Sequence, residues 1–258
     1  MAPQAGTKLC KYVYAIVSHS QACGRYGQIG IEGGEVSLVS EGPVAAVVSD
    51  VPGEKIRPER RNLTAHHAVL RSMMQHFDLL PMSFGIIARD SDAIAATLRL
   101  NEDILLRALR RIAGKVEMGL HVHWDVPNAF EYFVNTNEEL RRLRDQLFYD
   151  GRDPSREDKI ELGRVFAQIL DERREEHWET ISAVLSPRCA ELKRNKPRDE
   201  REVVNLASLV DRSGTQQFEE AVLEAARLFD NNFTFDYNGP WPVFSFADVT
   251  LQMPDGRE

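Results

Sequence analysis

The stretch LLPMSFGIIARD, Leu79–Asp90, is apolar enough for a buried strand but carries a proline, a glycine and a single serine. Leu80, Met82, Phe84 and Ile86 alternate with Pro81, Ser83, Gly85 and Ile87, which is the period of a strand. Pro81 sits near the start, where a missing N–H is tolerated, and Gly85 marks a bulge or a close backbone approach. A nucleophile elbow at Ser83 would need flanking glycines and a base within reach, whereas Pro81 and Phe84 crowd it. The stretch therefore reads as a framework strand with Phe84 in the core, and Ser83 as a small strand residue.

Working outward towards the N-terminus, Leu9–Val17 (LCKYVYAIV) is aromatic and β-branched, the composition of a first strand. A glycine-rich loop from Gly24 to Gly34 follows. EVSLVS and PVAAVVSDV, separated by Glu41-Gly42, predict a hairpin that Pro52-Gly53 stops. From Leu63 the period becomes helical. Leu63, His66, His67, Leu70, Met73, Met74 and Phe77 share one stripe, read as core, with one ring of the His66-His67 pair directed inward as a satisfied core histidine and the other towards the flank. Beyond the opening stretch, Ser91 caps a helical region through Ile94, Leu98, Leu105, Leu109 and Ile112, which Gly114 closes.

Val116–Val126 (VEMGLHVHWDV) begins the second half as a strand, and AFEYFVN either extends it or forms a separate edge. Asn137–Leu192 is charged with helical apolar spacing, and Gly151 and Pro154 divide it into a shorter and a longer helix, a helical hairpin. KRNKPRDE ends the hairpin. EVVNLASLVDR predicts a strand and TQQFEEAVLEAARLF an amphipathic helix. NFTFDYNGPWPVFSFADV reads as a strand, a Gly-Pro turn and another strand. Pro240 and Pro242 stiffen the chain around Trp241, which either fills the core or stands as an anchor for a partner. The core is favoured because Phe244 and Phe246 continue an apolar face. Short strands with covering helices in both halves imply an α+β protein. Its length of 258 residues favours two domains. They are placed at 1–114 and 115–258, with the hairpin at about 137–192.

A net charge of −8 supplies no basic footprint for phosphates, so nucleic acid is not an expected partner. Cys10, Cys23 and Cys189 form neither a disulfide framework nor a zinc pattern and suit a reducing compartment. The apolar run near the N-terminus is too short for a signal peptide, and no segment has the length to span a bilayer, so a cytoplasmic protein is expected. His121, His123 and Asp125 share one strand face and are the candidate metal ligands. Against that, Leu120, Val122, Trp124 and Val126 alternate with them, as in a half-buried strand with its polar face in water. The glycines of GQIGIEGG lack the context of a phosphate loop. No residue demands catalysis or a cofactor. The alternative class is a metal- or small-ligand-dependent enzyme or binding module centred on His121, His123 and Asp125.

YVYAIV (12–17), GPVAAVVSDVP (42–52), AHHAVL (65–70), LPMSFG (80–85), EMGLHVHWD (117–125) and GPWPVFSF (239–246) occur in an order that resembles the gas vesicle protein F/L family. The resemblance covers almost the whole chain. It implies two α+β domains, each similar to a modified ferredoxin-like fold, with a helical hairpin in the C-terminal one. It also implies a non-enzymatic role in building gas vesicles, through the small hydrophobic shell protein and other accessory proteins, at the vesicle and in the cytoplasm. Within that family LPMSFG would be a framework strand, held by Pro81 and opened at Gly85 for a close-packed helix or partner. Pro81, Phe84, Gly85, Pro240 and Trp241 are thus the structural or interface candidates.

Overall fold

β1 (Leu9–Ser18) organises the first half of the chain in this computed structural model, which describes residues 9–19, 26–53, 55–149 and 154–254. β2 (Val36–Glu41) and β3 (Val44–Pro52) form the expected antiparallel hairpin, turning at Gly42, whose φ of 55° suits glycine. β3 pairs with β1, and the register slips between Val13 and Ala15, so Tyr14 forms a bulge. Tyr12 and Tyr14 are fully buried. Their hydroxyls therefore need partners. Tyr14 OH lies 2.7 Å from Ser49 Oγ and accepts from Ile31 N at 2.8 Å, and Tyr12 OH lies 3.0 Å from His66 Nδ1. The expected loop from Gly24 to Gly34 lies partly outside the described residues, as does Cys23.

The opening stretch is not one strand. β4 (Leu79–Pro81) and β5 (Ile87–Ala88) both pair antiparallel with β1, and the chain turns away between them. One backbone conformation and one hydrogen bond explain the break. Gly85 adopts φ of 93°, a left-handed conformation that strand residues avoid. Its N–H is taken by Tyr12 OH at 2.9 Å instead of by a ladder carbonyl. Gly85 thus serves for its φ and not for a close approach, since a Cβ there would meet nothing within 4 Å. Phe84, expected in the core, is half-buried, with its ring 5.8 Å from those of Tyr12 and His66. The sheet order is β2-β3-β1-β4, with β5 also on β1.

α1 (Arg60–Met73) buries Asn62, His66, Val69, Leu70 and Met73. Of the expected core stripe, His66, Leu70, Met73, Met74 and Phe77 are buried, while Leu63 is half-buried and His67 exposed. The next helical region is two helices, α2 (Ser91–Leu100) and α3 (Glu102–Ile112), divided at Asn101. Asp90, not Ser91, caps α2, its carboxylate accepting from Ala93 N at 2.9 Å.

The second sheet contains β6 (Lys115–Trp124), β7 (Glu191–Arg194), β8 (Glu202–Asp211) and β9 (Phe233–Trp241), in the order β7-β8-β6-β9. β6 alternates strictly between buried and half-buried residues, as its sequence predicts. AFEYFVN is neither a continuation nor an edge but a helix, α4 (Ala129–Thr136). Asn128 caps it by accepting from Glu131 N at 3.1 Å, and the adjacent Phe133 and Val134 are both buried, a helical and not an alternating pattern.

α5 (Glu138–Leu147) and α6 (Arg156–Leu185) pack against each other as the shorter and longer helices of the expected pair. The pair ends before Leu192, because residues 191–194 form β7 on the edge of the sheet. α7 (Thr215–Ala226) buries Phe218, Ala221, Val222 and Ala225 and packs on α6. The Gly-Pro step makes no turn. β9 runs through it to Trp241, and a 3-10 turn at Phe244–Phe246 follows in place of a second strand. β9 is an edge strand, where the N–H missing from Pro240 is tolerated.

The fold is α+β, with two antiparallel sheets. By its contacts the chain divides into Met1–Glu117 with Pro240–Glu258, and Met118–Gly239. The first unit thus takes in the C-terminal segment as well as the first sheet. Among the described residues no helix is long and apolar enough to cross a membrane.

Candidate functional site

Within the first unit, the outward stripe of α1 and the C-terminal segment line an open groove of about 950 Å³. Leu63, His67 and Arg71 recur at four-residue intervals, so they share one helix face beside the buried stripe. Trp241, Pro242 and Phe244 form the facing wall. The Arg71 guanidinium carbon stands 4.7 Å from the centre of the Trp241 ring, a cation–π contact that holds the indole in place. Phe244 meets His67 edge to face at 5.8 Å and is 37% exposed. Glu117 is held by Ser245, whose N and Oγ donate to its two carboxylate oxygens at 2.7 and 2.8 Å. The result is a groove with a mostly apolar exposed lining, whose charged residues are Arg60, Arg71 and Glu117.

Trp241 is thus half-buried in the groove wall and does not plug the core, while Pro240 beside it is exposed and Pro242 is buried. Pro81 is buried, Gly85 is exposed, and Ser83 is exposed in the turn. The five structural or interface candidates, Pro81, Phe84, Gly85, Pro240 and Trp241, do not line one groove together. Pro81, Phe84 and Gly85 belong to the edge of the first sheet, and Trp241 to the groove. The stripe of Leu63, His67 and Arg71 was not singled out as a surface, because Leu63 and His67 read equally well as part of the core stripe one position away.

His66 is buried behind the groove-lining face and is no base for chemistry at neutral pH. Burial, with His67 next to it, lowers its pKa to about 4. Burial likewise raises the Tyr12 hydroxyl to about 12. In the core Tyr12 OH and His66 Nδ1 pair with each other, while His66 Nε2 is buried without a hydrogen-bond partner among the described residues.

Of the metal candidates, His121 and His123 lie side by side on β6, rings stacked at 6.3 Å with 14° between planes. Asp125 lies past the end of β6 and is exposed. The carboxylate brought to the pair is that of Glu202 on the neighbouring strand β8, 2.8 Å from His121 Nδ1. Glu202 also accepts from Arg198 N at 2.5 Å and from Asn205 Nδ2 at 3.3 Å. Burial raises its carboxyl, but these hydrogen bonds more than offset that and hold it below the usual range. Glu202 stands 81 positions from His121 and carries no local signal in the sequence.

Comparison with known proteins finds that the family model described as "Gas vesicle synthesis protein GvpL/GvpF" matches residues 10–248. Gas vesicle protein F of Streptomyces sp. (strain CB03234) is 31% identical over 239 residues, covering 92% of this chain and 99% of its own. Gas vesicle protein L of the same organism is 28% identical over 269 residues, covering 94% of each chain. Among solved structures, gas vesicle protein GvpF from Anabaena sp. PCC7120 superposes with a TM-score of 0.81 at 22% identity, covering 94% of this chain and 99% of its own. GvpF from Microcystis aeruginosa does so with a TM-score of 0.79 at 21% identity, covering 93% and 99%. At that identity the likeness is one of fold.

Proposed function

The chain belongs to the GvpL/GvpF family of gas vesicle synthesis proteins, and on that premise we propose that it is an accessory protein that binds the small hydrophobic shell protein during vesicle assembly. The observation that carries this reading is the family match across residues 10–248. In this reading it works in the cytoplasm and at the vesicle, also contacts other gas vesicle accessory proteins, and performs no catalytic step. A shell subunit that will face gas carries apolar surface that must be covered until it is assembled. The groove between α1 and Trp241 supports the role, being mostly apolar and lined by two arginines, Arg60 and Arg71, against one carboxylate, Glu117. An amphipathic helix of the shell protein with acidic flanks would fit such a channel, with Trp241 and Arg71 as anchors.

A pull-down of purified shell protein tests the reading. The wild-type chain should retain it, and Phe244→Ala should lose most of it while melting within about 3 °C of wild type, since Phe244 is a surface side chain. Retention undiminished in Phe244→Ala and Arg71→Ala would remove the groove from the interface. Recovery of neither the shell protein nor any accessory protein by the wild-type chain would overturn the function itself.

A further inference from the structure

We propose that His121, His123 and Glu202 form a binding site for one divalent transition-metal ion of the zinc class. Two features of the fold build it. The period of a strand puts His121 and His123 on one face of β6, and the pairing of β6 with β8 brings Glu202 beside them. One ligating atom from each residue lies within 4.8 Å of the others. Two imidazoles and a carboxylate are a ligand set that zinc accepts, with a fourth position left to water or to a donor from a partner.

The charge balance supports an ion there. The Glu202 side chain is fully buried, yet among the described residues no lysine or arginine pairs with it, and His121 is its sole ion-pair partner. Hydrogen bonds from His121, Arg198 N and Asn205 Nδ2 offset the burial of the carboxylate, and a bound divalent ion would add a direct positive charge beside it. The other contacts to Glu202, from Arg198 N and Asn205 Nδ2, hold the carboxylate as neighbouring groups do at metal sites. The ligand atoms, all within 4.8 Å of one another, would close to the roughly 3.3 Å of a tetrahedral zinc site as the ion binds. The half-buried histidines allow that movement and give the ion a route from solvent. The third ligand is Glu202 and not Asp125, which is exposed beyond the strand end.

Isothermal titration of the untagged full chain with zinc chloride, after dialysis against chelator and then against metal-free buffer, tests the site. One equivalent should bind, and His123→Ala should weaken binding roughly tenfold or more. Asp125→Ala should bind like wild type. His123 is half-buried, so its variant should fold, which circular dichroism checks. Glu202→Gln, at a buried position, is read only if it folds, and it should then bind as poorly as His123→Ala. Absence of stoichiometric binding in the wild type, or equal binding by the His123→Ala chain, overturns the proposal.

Discussion

At His66 a single ring reports on the whole inner face of α1. The side chain is 1% exposed, and burial with its neighbour His67 holds its pKa near 4, against about 6.5 for a histidine in the unfolded chain. Between those values the unfolded state binds a proton that the folded state refuses, so stability rises with pH across this window. Acidification from neutral pH to about 4 should remove about 3 kcal/mol through this residue alone. His177, also lowered by burial, adds in the same direction. The measurement is therefore a difference: urea midpoints at several pH values for wild type and His66→Gln, whose slope should be visibly flatter. Parallel slopes would mean that His66 does not titrate as its burial requires. At Gly85, φ of 93° makes Gly85→Ala cost about 1–2 kcal/mol although the space is open. Phe84→Ala should cost roughly 2 kcal/mol, less than the 3–5 of a fully buried phenylalanine.

Elements show where local chemistry suffices and where it does not. α6 begins with a reciprocal capping box, Ser155 Oγ accepting from Asp158 N at 3.1 Å and Asp158 accepting from Ser155 N at 2.9 Å. Ser155→Ala should cost about 1 kcal/mol and speed amide exchange in the first turn of α6, leaving its C-terminal half unchanged. α1 separates two kinds of face on one helix. Its inner face carries His66, Leu70 and Met73 into the core, and its outer face offers Leu63, His67 and Arg71 to the groove. Both faces contain apolar and histidine residues, so periodicity placed the helix and most of its inner face but drew Leu63 and His67 into the core stripe. Only the packing of α1 on the first sheet decides which stripe is inside.

At the scale of the whole chain, the C-terminal segment returns to the first unit. Asn101, 3% exposed, donates to Gln252 O at 2.9 Å and accepts from Gln252 N at 2.8 Å, across 151 positions of sequence. Val243 and Phe246 are buried in the same segment. Asn101→Ala strands these groups and should cost about 1–3 kcal/mol. It should also raise protease cleavage after residue 246, read by limited proteolysis and mass spectrometry, while protection of β8 from exchange is unaltered. Equal cleavage of variant and wild type would show that Asn101 does not secure the segment.

The first strand, the hairpin at Glu41-Gly42, β6, the helix pair and the α+β class were legible in the sequence, because each rests on a local period or a local turn residue. The family too was legible, carried by ordered short motifs. Three features were not. The opening stretch alternates like a strand, but Tyr12 takes the Gly85 N–H from 73 positions away and splits it in two. AFEYFVN, short and apolar, fits strand and helix equally by period, and the burial of Phe133 with Val134, together with the Asn128 cap, decides for the helix. The carboxylate beside His121 and His123 comes from another strand, so spacing pointed to the nearby Asp125 and sheet pairing supplied Glu202. Sequence determines what is decided within a turn or two of chain; the groove and the His–Glu cluster depend on residues that only folding brings together.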